Sequence, residues 1–174
     1  MSIRPLLFGT FCATAISSAV PASAQQSLYK KTESGWFIYK EAKSCVAYAD
    51  FETGTMLRLS NRVDEHRLYF SAFNENWEHL RPLAGQNVSL FLNFPNLKRG
   101  HGTAAVIVEN QGRMGFAGAD LANNEVLLTL AGSTALNLDV IYAGSVKPVT
   151  VDRMRIVGGG EMALLLTECS EELS

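Results

Sequence analysis

Two cysteines limit what this chain can fold into more than any other pair of residues. Cys45 and Cys169 stand near opposite ends of the sequence, and Cys12 is the only other thiol. In an oxidising compartment an isolated pair of this kind usually bonds. Closing so long a loop stabilises a fold by roughly 4–5 kcal/mol through lost chain entropy, less any strain. Bridged residues keep their Cα atoms within about 7 Å of each other. The opening strands are therefore expected to lie against the last element. Two rival readings stand beside the disulfide: a pair of buried free thiols, and redox or metal work. Redox pairs are usually close in sequence, as in Cys-x-x-Cys. No histidine neighbours either cysteine to complete a metal set.

The N-terminus supplies the compartment. Arg4 is the only charged residue in positions 1–24, and an apolar run occupies positions 5–20. Pro21-Ala22-Ser23-Ala24 then puts small residues where a signal peptidase inspects, so cleavage is expected between Ala24 and Gln25. The run is shorter than the roughly 20 residues that span a bilayer, and it is rich in Ser, Thr and Ala. It is read as an export signal rather than an anchor, and Cys12 leaves with it. The mature protein is expected in the periplasm or outside the cell, with no membrane span after signal removal. About 150 residues remain, enough for one domain with a real core. The whole chain carries 15 basic and 17 acidic residues. Loss of Arg4 makes the mature domain more acidic still, leaving no basic field for nucleic acid.

Hydrophobic alternation organises the rest. Residues 25–34 are polar and without period, and are read as a flexible leader. Strand patterns follow at 36–39, 45–49, 55–60 and 67–73, which together suggest an antiparallel meander. Further strands are expected at 88–94, 103–108, 113–116, 136–142 and 149–157. Between them, Asp120 is a candidate N-cap for an internal helix ending near Gly132, with Leu121, Val126, Leu127, Leu128 and Leu130 as its apolar members. Gly158-Gly159-Gly160 then releases the chain into a C-terminal helix. Met162, Leu165, Leu166 and Cys169 fall on one face of it, so the second cysteine points with the apolar stripe. Residues 171–174 read as an acidic tail. The expected fold is α+β and β-rich: antiparallel sheets forming a sandwich or partly open barrel, one internal helix, and the C-terminal helix packed on the sheet. The expected division is signal peptide 1–24, leader 25–34, a single domain over 35–170, and the tail.

Chemistry is sparse in this sequence. Catalysis needs a nucleophile or paired acid and base within reach of each other. His66 sits in a charged turn. His79 follows Trp77 and Glu78, so a small-ligand patch competes with an ordinary polar rim beside an aromatic. His101 lies between Gly100 and Gly102 after Lys98-Arg99, where backbone approach to an anion competes with a plain hairpin loop. Trp77, His79, Arg99 and His101 are the contact candidates. Asp139 and Asp152 fall on strands that could pair, which leaves an acid dyad open. The Gly158-Gly159-Gly160 run resembles an anion cradle at a helix start, but Glu161 would repel an anion there. No catalytic residue, metal ligand or cofactor site is assigned.

The order of elements resembles the invasion-associated locus B family of small exported bacterial proteins. The residues that carry this likeness are Gly35-Trp36-Phe37 near the mature start, Ser44-Cys45-Val46 soon after, and a Gly-rich turn into an Ala/Leu helix closed by cysteine over 159–169. The chain departs from the family in having one cysteine near its start rather than several. The resemblance implies a periplasmic or surface-associated β-rich protein and transfers no catalytic residue. The expected function is a non-catalytic binding or envelope-associated domain, its partner an unnamed protein or envelope component. An inhibitor of a secreted hydrolase, probing with the 98–101 loop, and a hydrolase with an unrecognised site are the alternatives.

Overall fold

The structure, a computed structural model, describes residues 26–95, 100–109, 112–121, 124–142, 145 and 147–174. Residues 1–24, where an export signal is expected, and Gln25 and Arg99 lie outside them. Ten strands form one antiparallel sheet: β1 (Ser27–Lys31), β2 (Phe37–Lys40), β3 (Ser44–Asp50), β4 (Thr55–Arg62), β5 (Arg67–Asn74), β6 (Asn87–Asn93), β7 (Gly100–Val108), β8 (Met114–Asp120), β9 (Ala135–Ile141) and β10 (Val149–Arg155). Their order across the sheet is β1-β2-β3-β4-β5-β8-β7-β6-β9-β10. β2 to β5 are the expected meander, and β1 extends it by one strand at the edge. A 3-10 helix (Glu75–Leu83) carries the chain from β5 to β6, and α1 (Asn124–Ala131) carries it from β8 to β9. The chain ends in α2 (Gly159–Glu171).

The period of two explains why the sheet has one dry face. Ile38 pairs with Ala47, Ala47 with Leu59, and Leu59 with Phe70. Across the sheet, Leu90 pairs with Val140 and Leu92 with Leu138. All of these are buried, and they join Met162, Leu166 and Cys169 of α2 in a single core. Truncating one such leucine to alanine costs about 2–5 kcal/mol in well-packed cores.

The clasp is present. Cys45 on β3 and Cys169 on α2 are disulfide-bonded with Cα atoms 6.0 Å apart, and neither residue is exposed. Beside it, Asn61 Nδ2 donates to Ser170 Oγ at 2.9 Å. Helix and sheet are thus held by a covalent bond and a neighbouring hydrogen bond.

The sheet also curls until its far end meets its near end. No ladder joins β10 to the β3–β4 hairpin; β1 and β10 are the sheet's two edges. Side chains make the junction instead. Asp152 of β10 accepts hydrogen bonds from Thr53, at 2.9 Å, and from Thr55. Thr55 in turn accepts from Asn74 Nδ2 at 2.8 Å, and Asn74 Oδ1 accepts from the Asn76 amide at 2.7 Å. Trp36 Nε1 donates to the Val157 carbonyl at 2.9 Å. Thr55 and Asn74 are buried, and a buried polar group that loses its partner is costly. The seam is therefore specific as well as closed.

Several expectations change. Ser27–Lys31, read as flexible leader, is the edge strand β1; Tyr29 and Lys40 tie it and β2 to Glu172 at 2.7 and 3.0 Å. In the 171–174 segment, read as a solvated tail, Glu171 ends α2, Glu172 caps it, and Leu173 packs against the core. One sheet stands where sheets were expected. The internal helix is not alone, because the 3-10 helix precedes it, capped by Asn74. Asp120, the candidate cap, ends β8, opposite Tyr69, and is ion-paired with Arg67, while α1 begins at Asn124.

Two outcomes follow from these contacts. Replacing both Cys45 and Cys169 by alanine is expected to lower unfolding stability by about 2–5 kcal/mol, read from urea denaturation; an unchanged midpoint would remove the clasp's role. The second concerns Tyr29, whose phenol is pushed up to about 12 by its hydrogen bond to Glu172. The Glu172 carboxyl is held below its ordinary range by hydrogen bonds from Tyr29 and Lys40. The tyrosine contribution is full below its ordinary value of 10.0 and is lost as pH rises through about 12. The glutamate contribution is present above the ordinary carboxylate range and is lost as pH falls through the lowered value. Ultraviolet titration of Glu172→Gln should bring one late-ionising phenol down; a curve identical to wild type would contradict the contact.

Candidate functional site

A hollow lies at the seam. It is a cleft of about 280 Å³ between the loop before β2, the β3–β4 hairpin and the end of β10. Trp36 and Phe51 form its apolar wall, edge to face with ring centroids 6.0 Å apart. Phe51 is half-buried and presents the aromatic surface, while Trp36, buried and with its indole N–H committed to the Val157 carbonyl, backs it. Arg153 and Arg155, two residues apart on β10, line the cleft from one side. A strand puts such a pair on the same face. Asp50 and Glu52 line it from the hairpin. Among the described residues these four charges form no ion pair with one another. Both arginines are exposed, so their guanidinium groups, which present five N–H donors in a planar fork, face solvent. Chemically the cleft can hold a polar group of mixed charge against a flat aromatic wall.

The contact candidates read from the sequence lie elsewhere. Trp77 is buried, 3% exposed, with its ring 5.3 Å from that of Phe116. It anchors the 3-10 helix to the sheet and is not a surface contact. His79, two residues on, faces solvent. His101 is on β7 rather than in a hairpin loop; it points outward, 5.3 Å from the Phe91 ring of its partner strand.

The glycines flanking His101 serve packing. A Cβ on Gly100 would crowd Val126 of α1 at 3.2 Å, and one on Gly102 would meet the Asp120 carbonyl at 2.9 Å. The same holds for the run before α2. A Cβ on Gly158, whose φ is +67°, would strike Ser34 at 1.8 Å, and one on Gly159 would meet the Leu130 carbonyl at 2.6 Å. These glycines let α1, α2 and the seam come together, as a strand-to-helix turn requires.

The acid pair separates. Asp139 pairs with Thr150 and Asp152 with Leu138, across a register shift in β9–β10. Asp139 bonds Asn93 on β6, while Asp152 serves the seam. The histidines occupy three elements: the β4–β5 turn, the 3-10 helix and β7. Among the described residues no group of three His, Cys, Asp or Glu side chains is placed to hold a metal ion. No described helix is long and apolar enough to cross a membrane.

The arginines of the cleft were missed by a reading that followed only the apolar members of β10. The usable signal was their two-residue spacing, which keeps both on one side of a strand.

Comparison with known proteins gave no match to a family model, a curated protein or a solved structure.

The packing roles separate by mutation. Trp77→Ala is expected to lose about 3–5 kcal/mol of stability. His79→Ala and His101→Ala should stay within about 0.5 kcal/mol of wild type. Urea unfolding checks all three, and a Trp77→Ala protein as stable as wild type would return that residue to the surface.

Proposed function

We propose that this chain is an exported, non-catalytic binding domain that works in or near the cell envelope. The observation that carries the reading is the buried disulfide between β3 and α2, because such bonds persist mainly in oxidising compartments. The composition of residues 1–24 supports export independently. We read the curled sheet as a partly open barrel, closed at its seam by side chains rather than by a ladder. The seam cleft is the contact surface: Arg153 and Arg155 supply charge-assisted donors, and Phe51, backed by the buried Trp36, supplies a rigid wall. Rigid aromatic surface lowers the ordering cost of binding. The likeness of Gly35-Trp36-Phe37, Ser44-Cys45-Val46 and the closing helix to the invasion-associated locus B family supports the same placement.

Thiol trapping in growing cells tests the location. Both cysteines should resist alkylation, and the mature N-terminus should be Gln25. Free thiols on a chain that retains residues 1–24 would contradict export. Charge reversal at Arg153 and Arg155 tests the surface. The doubly reversed protein should leave the envelope fraction while melting as wild type does, and unchanged fractionation would rule out the cleft as the contact.

A further inference from the structure

A second hollow lies on the opposite, outer face of the sheet, over β4, β5 and β8. It holds about 250 Å³ and is lined by Arg58, Ser60, Arg62, Tyr69, Ser71 and the backbone around Gly118. Alternation puts the first three on one face of β4. The antiparallel register then brings Ser71 opposite Arg58 and Tyr69 opposite Ser60. The floor is open because the β5–β8 ladder shifts between Phe70 and Ala72. On β8, Ala117 and Gly118 supply almost no side chain. Gly118 has φ +76°, and a Cβ there would meet nothing within 4 Å.

No carboxylate lines this basin. Its polar groups are donors or hydroxyls. Arg62 is held at the rim by Glu65 at 2.9 Å and Asp64 at 3.7 Å. Tyr69 donates to Glu65 at 2.5 Å. Arg58 lies with its guanidinium 5.7 Å from the centre of the Tyr48 ring. One terminal nitrogen reaches Glu41 at 3.4 Å, and Glu41 already accepts from Ser44 at 2.7 Å. The Arg58 Nε is buried with no hydrogen-bond partner. A buried donor without a partner in a native structure calls for an explanation such as a bound group.

We propose that this basin is an oxyanion site. Arg58 supplies its unpartnered Nε–H, Arg62 adds charge from the rim, and the Ser60 and Ser71 hydroxyls complete the donor set. The occupant is a phosphoryl, sulfo or carboxyl group, because an acceptor-only, negatively charged group matches a surface of donors. This inference does not depend on the export reading or on the seam cleft.

Titrating the full mature protein with inorganic phosphate, sulfate or acetate at constant ionic strength tests it, read by amide shifts in the NMR spectrum. Saturable shifts at Ser60, Ser71 and Gly118 are expected, with a dissociation constant on the order of 1 mM for the preferred ion. Arg58→Gln should weaken binding by about tenfold or more, and Arg58→Lys by less. Ser71→Asp, which places a carboxylate in the basin, should abolish it. Preference for acetate would identify a carboxyl ligand, and preference for phosphate or sulfate a tetrahedral one. Shifts scattered over many surface residues and unchanged in both Arg58→Gln and Ser71→Asp would overturn the proposal, as would no shift with any of the three ions.

Discussion

The structure depends on the bond between Cys45 and Cys169. The sheet has one apolar face, and its ten strands leave that face uncovered unless something closes it. α2 covers it over β2 to β4, while α1 and the 3-10 helix add Val126, Leu127, Leu130, Trp77 and Leu80 to the same core, and the disulfide fixes α2 to β3 at a point with no solvent exposure. The bond restricts the unfolded chain as well as joining two elements, because 124 positions separate its ends. The contacts around it act in the same direction. Asn61 meets Ser170, and Glu172 meets Tyr29 and Lys40. One helix therefore touches strands β1 to β4, which form nearly half of the sheet.

The second closure is polar and stands away from the first. Thr53, Thr55, Asn74 and Asp152 link the β3–β4 hairpin, the end of β5 and the far strand β10. Backbone ladders are interchangeable along their length, but this network fits in one register only. It accounts for a buried threonine and a buried asparagine where an apolar pair would otherwise be expected. It also explains how an open sheet presents a cleft: the edges meet at side chains, and the space they leave unfilled is walled by Trp36 and Phe51.

Much of this fold was legible in the sequence. Alternation marks β4, β5, β9 and β10, aromatic and β-branched runs mark most of the other strands after β1, the spacing of Met162, Leu166 and Cys169 marks α2, and the two cysteines indicate which ends meet. The parts that were not legible share a cause: each depends on partners far away in the chain. Ser27–Lys31 is polar because it is an edge strand with solvent on one side, so it resembles a leader until Glu172 and β2 hold it. Trp77 lies among polar residues and looks like a surface contact, yet its partner is Phe116 on β8. Asp152 interrupts an apolar pattern and looks like a defect in β10; its purpose appears only beside Thr55. Gly100 and Gly102 suggest a ligand loop, while the space they leave is filled by α1 and by β8. Pattern reading finds which residues face a core. It does not find which polar residues face each other.

The central claim is that the disulfide holds α2 as the lid of the apolar face. Native-state hydrogen exchange on oxidised and reduced protein tests it most directly. Reduction should strip protection from the amides of α2 and of neighbouring β2 and β3 together, while β6, β7 and β9 keep theirs. Full protection of α2 in the reduced protein would show that packing alone seats the helix, and the account would fail.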